Sequence, residues 1–280
     1  MDVRSHGSRC CCSATFVPKT LQALLFDVDG TLAETEEAHR RAFNASFKAA
    51  GLDWHWDPTL YTQLLAVAGG RERICHYVTT RRPELLTDTD LDRRIVALHA
   101  DKTRRYAEMV AAGAVHLRRG VARVLREVRA AGLRLAITTT TSRANVDVLL
   151  QVSLGAGSVG WFEVIGAGAD VSAKKPAADI YQWVLERLGL EADACLAIED
   201  SESGLHAALG AGVATVITPS AYTVGQDFSA AVAVVSDLGE PGKPFRVLQG
   251  CTYGEDCVNV ALLRRWHAAA YPLGPAARAT

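Results

Sequence analysis

The chain has 280 residues, nearly half of them apolar (49%), 22% charged, with a formal net charge of −1, which suffices for one large core or one core with a satellite domain. No apolar run approaches the roughly 18 to 20 residues that span a bilayer, and the near-neutral charge offers no general attraction to nucleic acid or to an anionic membrane. Seven cysteines, including the adjacent Cys10, Cys11 and Cys12, show neither the C-x-x-C spacing of a zinc site nor a small secreted framework, and fit a reducing compartment.

Residues 1–20, "MDVRSHGSRCCCSATFVPKT", carry Arg4, Arg9 and Lys19 among serines and one acid, Asp2. That composition reads as a disordered extension or the remnant of an organellar targeting peptide, outside the fold. From "LQALLFDV" onward, short β-branched or leucine-rich runs alternate with amphipathic segments, which predicts an α/β fold: a doubly wound, Rossmann-like parallel sheet covered by helices on both faces. Strands are expected at 133–138, 162–166, 195–200, 213–218 and 231–237, and helices at 120–132, 143–152, 177–189 and 203–212. In the first of these helices Val121, Val124, Leu125 and Val128 recur at helical spacing before a glycine stop. The interval 35–116 breaks the rhythm with helical periodicity and no convincing strand, so it reads as a helical cap inserted into a core made of 21–34 and 117–237. Residues 238–280, broken by Pro and Gly with one helical piece near 256–270, form a C-terminal extension without an assigned role.

In open α/β sheets ligands bind beyond the carboxyl ends of the strands, and four such ends here are polar. The first strand runs into Asp27-Val28-Asp29-Gly30-Thr31, the second into Thr138–Thr141, a third is followed by Lys174-Lys175-Pro176, and "CLAI" ends in Glu199-Asp200-Ser201. Converging carboxylates repel unless a cation sits among them, and an all-oxygen ligand set favours a hard ion such as Mg²⁺. Asp27 can then attack an electrophilic phosphorus, as carboxylate nucleophiles do in acyl-phosphate chemistry. Asp29, swung by the turn at Gly30, can protonate a leaving group and later deprotonate water. A threonine hydroxyl at a helix N-terminus and Lys175 would stabilise the phosphoryl oxygens.

With "FDVDGTL", the Thr of "ITTTT", the Lys of "KKP" and "IEDSESG" in order, the sequence resembles the haloacid dehalogenase-like phosphohydrolases over about residues 21–237. The resemblance implies Asp27 as nucleophile, Asp29 as general acid/base, Thr139 and Lys175 as phosphate stabilisers, and a Mg²⁺ site formed by Asp27, the Asp29 carbonyl, Glu199 and Asp200. The segments "DVDGTLAETEEAHRRAFN", "AGGRERI", "TTTTSRANV" and "KKPAADIY" look closest to the CbbY-like branch, phosphatases acting on xylulose 1,5-bisphosphate, an inhibitor of Rubisco. The β-phosphoglucomutases, which share the His at position 39, are similar at a further remove.

A second phosphate would need its own cationic pocket, and the insert and Thr-rich loop offer Arg71, Arg73, Lys102, Arg104, Arg105 and Arg143. Arg71, after Gly69 and Gly70, is the preferred phosphate ligand, because glycines admit close approach of the backbone. Glu34, Glu36 and His39 are expected at the sugar, with Gly70, Thr140, Thr141, Arg143 and Asn145 completing the substrate-binding set. Lys102, Arg104 and Arg105 lie on a highly charged helix, where a solvated face is the ordinary explanation. Trp54 and Trp56 are expected to pack the cap. The partner is thus a small-molecule sugar phosphate, with no nucleic acid or membrane, and the chain is expected to be a monomer. A Rubisco-protecting role together with the basic N-terminus points to the plastid stroma, with the cytoplasm as the alternative. Three rival functions stand beside this reading: a β-phosphoglucomutase-like phosphosugar mutase, a phosphatase of another sugar or small metabolite phosphate, and a noncatalytic phosphate-binding module, against which the presence of both Asp27 and Asp29 speaks.

Overall fold

A computed structural model describes residues 20–272; the expected extension or targeting remnant falls, apart from Thr20, outside them. Among the described residues seven strands form one sheet: β1 (Ala23–Phe26), β2 (Arg134–Thr138), β3 (Val164–Gly166), β4 (Cys195–Glu199), β5 (Ala214–Ile217), β6 (Ala233–Val235) and β7 (Val247–Gln249). Their order is β3-β2-β1-β4-β5-β6-β7, all parallel except the β6–β7 pair.

Strand β1 sits at the centre, and its four residues are wholly buried because both sheet faces are covered. Side chains alternate along it: Leu24 and Phe26 enter the larger core with Leu135, Ile137 and Val124, whereas Ala23 and Leu25 face Ile180, Tyr181 and Val184. The first face is covered by α5 (Val121–Ala130), α6 (Arg143–Leu154) and α9 (Val260–Ala270), the second by α7 (Asp179–Leu188) and α8 (Glu202–Gly210). Ser142 and Ser201 cap α6 and α8 by accepting from the amides of Asn145 and Gly204, so both helices begin at the carboxyl edge of the sheet.

Between β1 and β2 lie α1 (Glu36–Ala49), α2 (Pro58–Leu64), α3 (Gly70–Arg81) and α4 (Leu91–Ala111). They share a core of their own in which Phe43, Phe47, Trp54, Trp56, Tyr61 and Tyr77 pack as interleaved aromatics. The sheet-proximal parts of α1 and α4 supply Ala38, Ala42, Tyr106 and Val110 to the main core, which roots this helical unit on the sheet.

Residues 238–272 are integral to the core, a role their Pro- and Gly-broken sequence does not display. Phe245, Val258, Leu262, Leu263 and Trp266 are buried in the main cluster, and β7 extends the sheet edge. The Arg123 guanidinium pins the segment through the carbonyls of Gly239 and Val258, each at 2.7 Å. Strand β7 escapes sequence reading because it is three residues long and half-exposed at the edge, so no alternation marks it.

Candidate active site

The strand order reverses between β1 and β4, with β2 and β3 on one side and β5 to β7 on the other. At that switch point the carboxyl ends of β1 and β4 diverge into a crevice, and the chain after β1 places Asp27 in register with the ladder, its amide bonded to the Ile198 carbonyl at 3.1 Å. Gly30 has φ +85°, and a Cβ there would come within 2.1 Å of Asp200 Oδ2, so only glycine lets this loop close against the end of β4.

Asp27, Glu199 and Asp200 are all buried, and each offers a carboxylate oxygen within 4.8 Å of the others. Lys175 reaches between them: its Nζ donates to Asp27 Oδ1 at 2.8 Å and to Glu199 Oε1 at 2.5 Å. Tyr181 donates to the same Glu199 oxygen at 2.6 Å. Burial, reinforced by Glu199 and Asp29, outweighs the pull of Lys175 and pushes the Asp27 carboxyl up to about 7. Burial and the neighbouring Asp27 and Glu199 push Asp200 well above the carboxylate range. The Lys175 ammonium is raised too, but for it this favours the charged form, because the two carboxylates outweigh its burial.

Asp29 meets a different environment. Its Oδ1 accepts from Thr35 Oγ1 at 2.6 Å and lies 3.1 Å from His39 Nε2, while Lys102 Nζ lies 2.9 Å from His39 Nδ1. An ammonium can only donate, so Nδ1 accepts and the proton of a neutral His39 sits on Nε2, pointing at Asp29. Burial and Lys102 both lower the imidazole, in keeping with the neutral form. The ring stacks on Tyr106 with centroids 3.9 Å apart. Burial alone would raise Asp29, but His39, Thr35 and Lys102 overcome it and hold the carboxyl at about 2. Two aspartates two residues apart thus have opposite proton affinities, with the protonated form favoured at Asp27 and the carboxylate at Asp29; positive charge beside Asp27 and an anion beside Asp29 would shift each toward the form that a nucleophile and a proton donor require.

Both face a cavity of about 400 Å³ between the sheet edge and the helical unit. Of the substrate residues expected from sequence, Glu36, His39, Gly70, Thr140 and Thr141 line it. Thr139 is buried behind that wall, and its Oγ1 accepts from the Thr141 amide at 3.2 Å. Asn145 is buried too and donates to Thr141 Oγ1 at 3.1 Å, so both residues shape the Thr loop from below. The structure does not bring Glu34, Arg71 or Arg143 into the cavity wall. Glu34 is exposed and pairs with Arg118 Nε at 3.1 Å, Arg71 is exposed on α3, and Arg143 is exposed and pairs with Asp147 at 2.8 Å. Arg104 and Arg105 pair with Asp101 on the outer side of α4.

Two of the cations that the sequence offers for a second phosphate, Lys102 and Arg73, also line the cavity. Lys102, assigned to a solvated face, is buried, because Ile95, Leu98, Lys102, Tyr106 and Val110 form the inward stripe of α4. That 3-4 spacing was visible in the sequence and marks Lys102 off from its arginine neighbours. Arg73, beside Ile74 and one turn from Tyr77, is buried by the same logic on α3. Thr223, which donates to Asp200 Oδ2 at 3.2 Å, and Tyr181 carry no comparable sequence signal.

The carboxylate trio suits a hard divalent cation. Three buried acids face a single ammonium, and Glu199 Oε2 is a buried oxygen without a hydrogen-bond partner among the described residues. Asp27, Asp200 and the loop after β1 at Asp29 would hold the ion, with Glu199, whose Oε1 is taken by Lys175 and Tyr181, beside them.

The family model for haloacid dehalogenase-like hydrolase matches residues 21–212. The plasmid-encoded protein CbbY of Cupriavidus necator is 51% identical over 248 residues, covering 88% of this chain and 97% of its own. The crystal structure of CbbY from Rhodobacter sphaeroides in complex with phosphate superposes with TM-score 0.72 at 41% identity, covering 78% of this chain and 94% of that one. A mutant of the same protein in complex with xylulose-(1,5)bisphosphate gives TM-score 0.72 at 40% identity with the same coverage.

Proposed function

Because the chain belongs to the haloacid dehalogenase-like hydrolases, we propose that it is a magnesium-dependent phosphatase that hydrolyses a sugar phosphate, xylulose 1,5-bisphosphate to xylulose 5-phosphate, through an aspartyl-phosphate. The observation that carries this reading is the buried Asp27, bonded to Lys175 at 2.8 Å within a carboxylate cluster fit for a cation, two residues before an Asp29 that faces the same cavity. The choice of sugar rests on the similarity to CbbY, which has been seen with xylulose-(1,5)bisphosphate.

In the first step the Asp27 carboxylate attacks phosphorus, the bond to the sugar oxygen breaks, and Asp29 delivers a proton to that oxygen. Asp29, held at about 2 by His39, Thr35 and Lys102, takes up that proton from solvent as the approaching phosphate dianion raises its proton affinity. In the second step Asp29 takes a proton from water as the water oxygen attacks phosphorus, and the Asp27 carboxylate leaves. Mg²⁺, when bound at Asp27 and Asp200, supplies positive charge that offsets the phosphoryl oxygens. Lys175 would add positive charge beside Asp27, and Thr140 and Thr141, braced by Thr139 and Asn145, would present their polar groups to the equatorial oxygens. The helical unit over the cavity would exclude bulk water from the acyl phosphate. We place the protein in the plastid stroma on the strength of its basic N-terminus and the Rubisco-linked substrate, with the cytoplasm as the alternative, and as a monomer.

Purified protein with Mg²⁺ is expected to release inorganic phosphate from xylulose 1,5-bisphosphate. It is expected to yield no glucose 6-phosphate from β-glucose 1-phosphate with a bisphosphate primer. Isomer formation without phosphate release would establish the mutase instead, and a panel of sugar phosphates with a better substrate would reassign the sugar.

A further inference from the structure

Arg73 lies at the edge of the cavity, where an arginine beside a phosphate-sugar site invites the role of phosphate ligand. The bonds it makes assign it a different, structural role. The side chain is buried, and each of its three nitrogens is already committed inside the helical unit: Nε donates to the Leu64 carbonyl at 3.1 Å, Nη2 to the Val67 carbonyl at 3.2 Å, and Nη1 to Tyr61 Oη at 3.1 Å. The guanidinium also lies over the Tyr61 ring, 5.3 Å from its centroid. Tyr61 is wholly buried, and its hydroxyl is 2.7 Å from Glu36 Oε2.

The direction of these bonds follows from the donor inventory. A guanidinium has no lone pair to offer, so Arg73 must donate and Tyr61 Oη must accept. The single hydroxyl proton of Tyr61 then has one destination, Glu36 Oε2. Glu36 lines the cavity, and its other carboxylate oxygen has no hydrogen-bond partner among the described residues. A carboxylate locked in this way can only accept, so it welcomes a hydroxyl donor and repels a second anion placed against it.

We infer that Arg73 is a positioning residue which, through Tyr61, fixes Glu36 as a hydrogen-bond acceptor at the sugar end of the cavity and so selects a polyhydroxylated phosphate ester. The Leu64 and Val67 carbonyls held by the same guanidinium set the turn that leads to Gly69 and Gly70, so one side chain orders both the acceptor and the adjoining wall. This inference rests on the phosphatase reading of the site.

The test compares two substrates in the full-length protein: the sugar phosphate with the highest kcat/KM in a panel headed by xylulose 1,5-bisphosphate, and p-nitrophenyl phosphate, which has no sugar hydroxyl. Tyr61→Phe, which keeps the ring and deletes the hydroxyl, is expected to lower the ratio of sugar to nitrophenyl kcat/KM about tenfold, mainly through KM, as the loss of one charge-assisted contact predicts. Arg73→Met is expected to lower the same ratio by at least as much. In a Glu36→Ala background, Tyr61→Phe is expected to add no further loss, because its effect passes through Glu36. Equal losses on both substrates, an unchanged ratio, or additive losses in the double variant would overturn the inference while leaving an active phosphatase. A wild-type protein that hydrolyses neither class of ester would overturn the phosphatase reading and this inference with it.

Discussion

Lys175 and Asp27 come from segments 148 residues apart, yet Lys175 Nζ stands 2.8 Å from Asp27 Oδ1 with both side chains buried. The same ammonium is held at 2.5 Å by Glu199, so its position does not depend on Asp27 alone. Asp27→Asn is therefore expected to abolish phosphate release, by at least about 10³-fold, because an amide cannot form the acyl phosphate. The variant should melt within a few degrees of wild type, since it removes a carboxylate whose burial already pushes it up to about 7. Near-normal turnover would remove Asp27 from the nucleophile's role.

The three carboxylates around Lys175 leave an excess of negative charge that a divalent cation offsets. Mg²⁺ is thus expected to raise the melting temperature of the wild-type protein, by about 2.7 kcal/mol of added stability at a concentration one hundred times its dissociation constant. In Asp200→Asn that increment should shrink sharply, and chelator should abolish wild-type activity. A wild-type melt indifferent to Mg²⁺ would argue against a metal at this cluster.

What the sequence made legible divides along a physical line. Asp27, Asp29, Glu199, Asp200 and Lys175 could be read because strand ends in a parallel sheet face one crevice, and a handful of polar residues after apolar runs identifies those ends. The sheet and the helical insert were legible for the same reason of periodicity. The substrate side was harder. Arg71 follows two glycines yet is exposed, whereas Arg73 and Lys102, two candidates among many charged neighbours, are the cations that the apolar phase of their helices turns inward. Contacts such as Tyr181 to Glu199 arise from α7 crossing β4, and no local pattern encodes which hydroxyl meets which acid.

His99 offers a pH test of the packing over the cavity. Burial and Lys102, one turn along α4, lower its imidazole to about 4, despite the opposing charge of Glu72. It abuts Gly70, where a Cβ would fall 2.7 Å from His99 Nε2. In the unfolded chain a histidine takes its proton near 6.5, roughly the ordinary value. Below that pH the unfolded state binds a proton that the folded state refuses, so this contribution to stability is whole above about 6.5 and is lost as pH falls toward about 4. At pH 5 the loss should be about 1 kcal/mol after screening by the solvent the ring still touches. His99→Gln is expected to lack this component, so the gap between its melting temperature and that of wild type should shift in its favour between pH 7 and pH 5. A gap that stays constant over this range would mean that His99 titrates alike in both states.

The C-terminal segment supplies the last expectation, because its burial changes what a truncation or point variant should do. Trp266 is 1% exposed within the main core, and its indole Nε1 donates to the Cys251 carbonyl at 2.7 Å. One turn earlier, Leu262 and Leu263 are wholly buried, and near the end of the described chain Tyr271 Oη accepts from the Ala214 amide and donates to the Gly212 carbonyl, each at 2.8 Å. Helix α9 therefore closes the apolar face beneath β4 and β5 rather than trailing from it. Trp266→Ala removes a large buried side chain and leaves the Cys251 carbonyl without its donor, so it should cost about 3 to 5 kcal/mol. Leu248→Ala, at a half-exposed position on β7, should cost less than about 0.5 kcal/mol. Denaturant melts of the two variants against wild type measure the difference directly. Activity well below the melt should survive in Trp266→Ala, since α9 packs on α5 and β4, away from the carboxyl ends that carry the site. Equal stability of the two variants would show that the tail does not share the cooperative core.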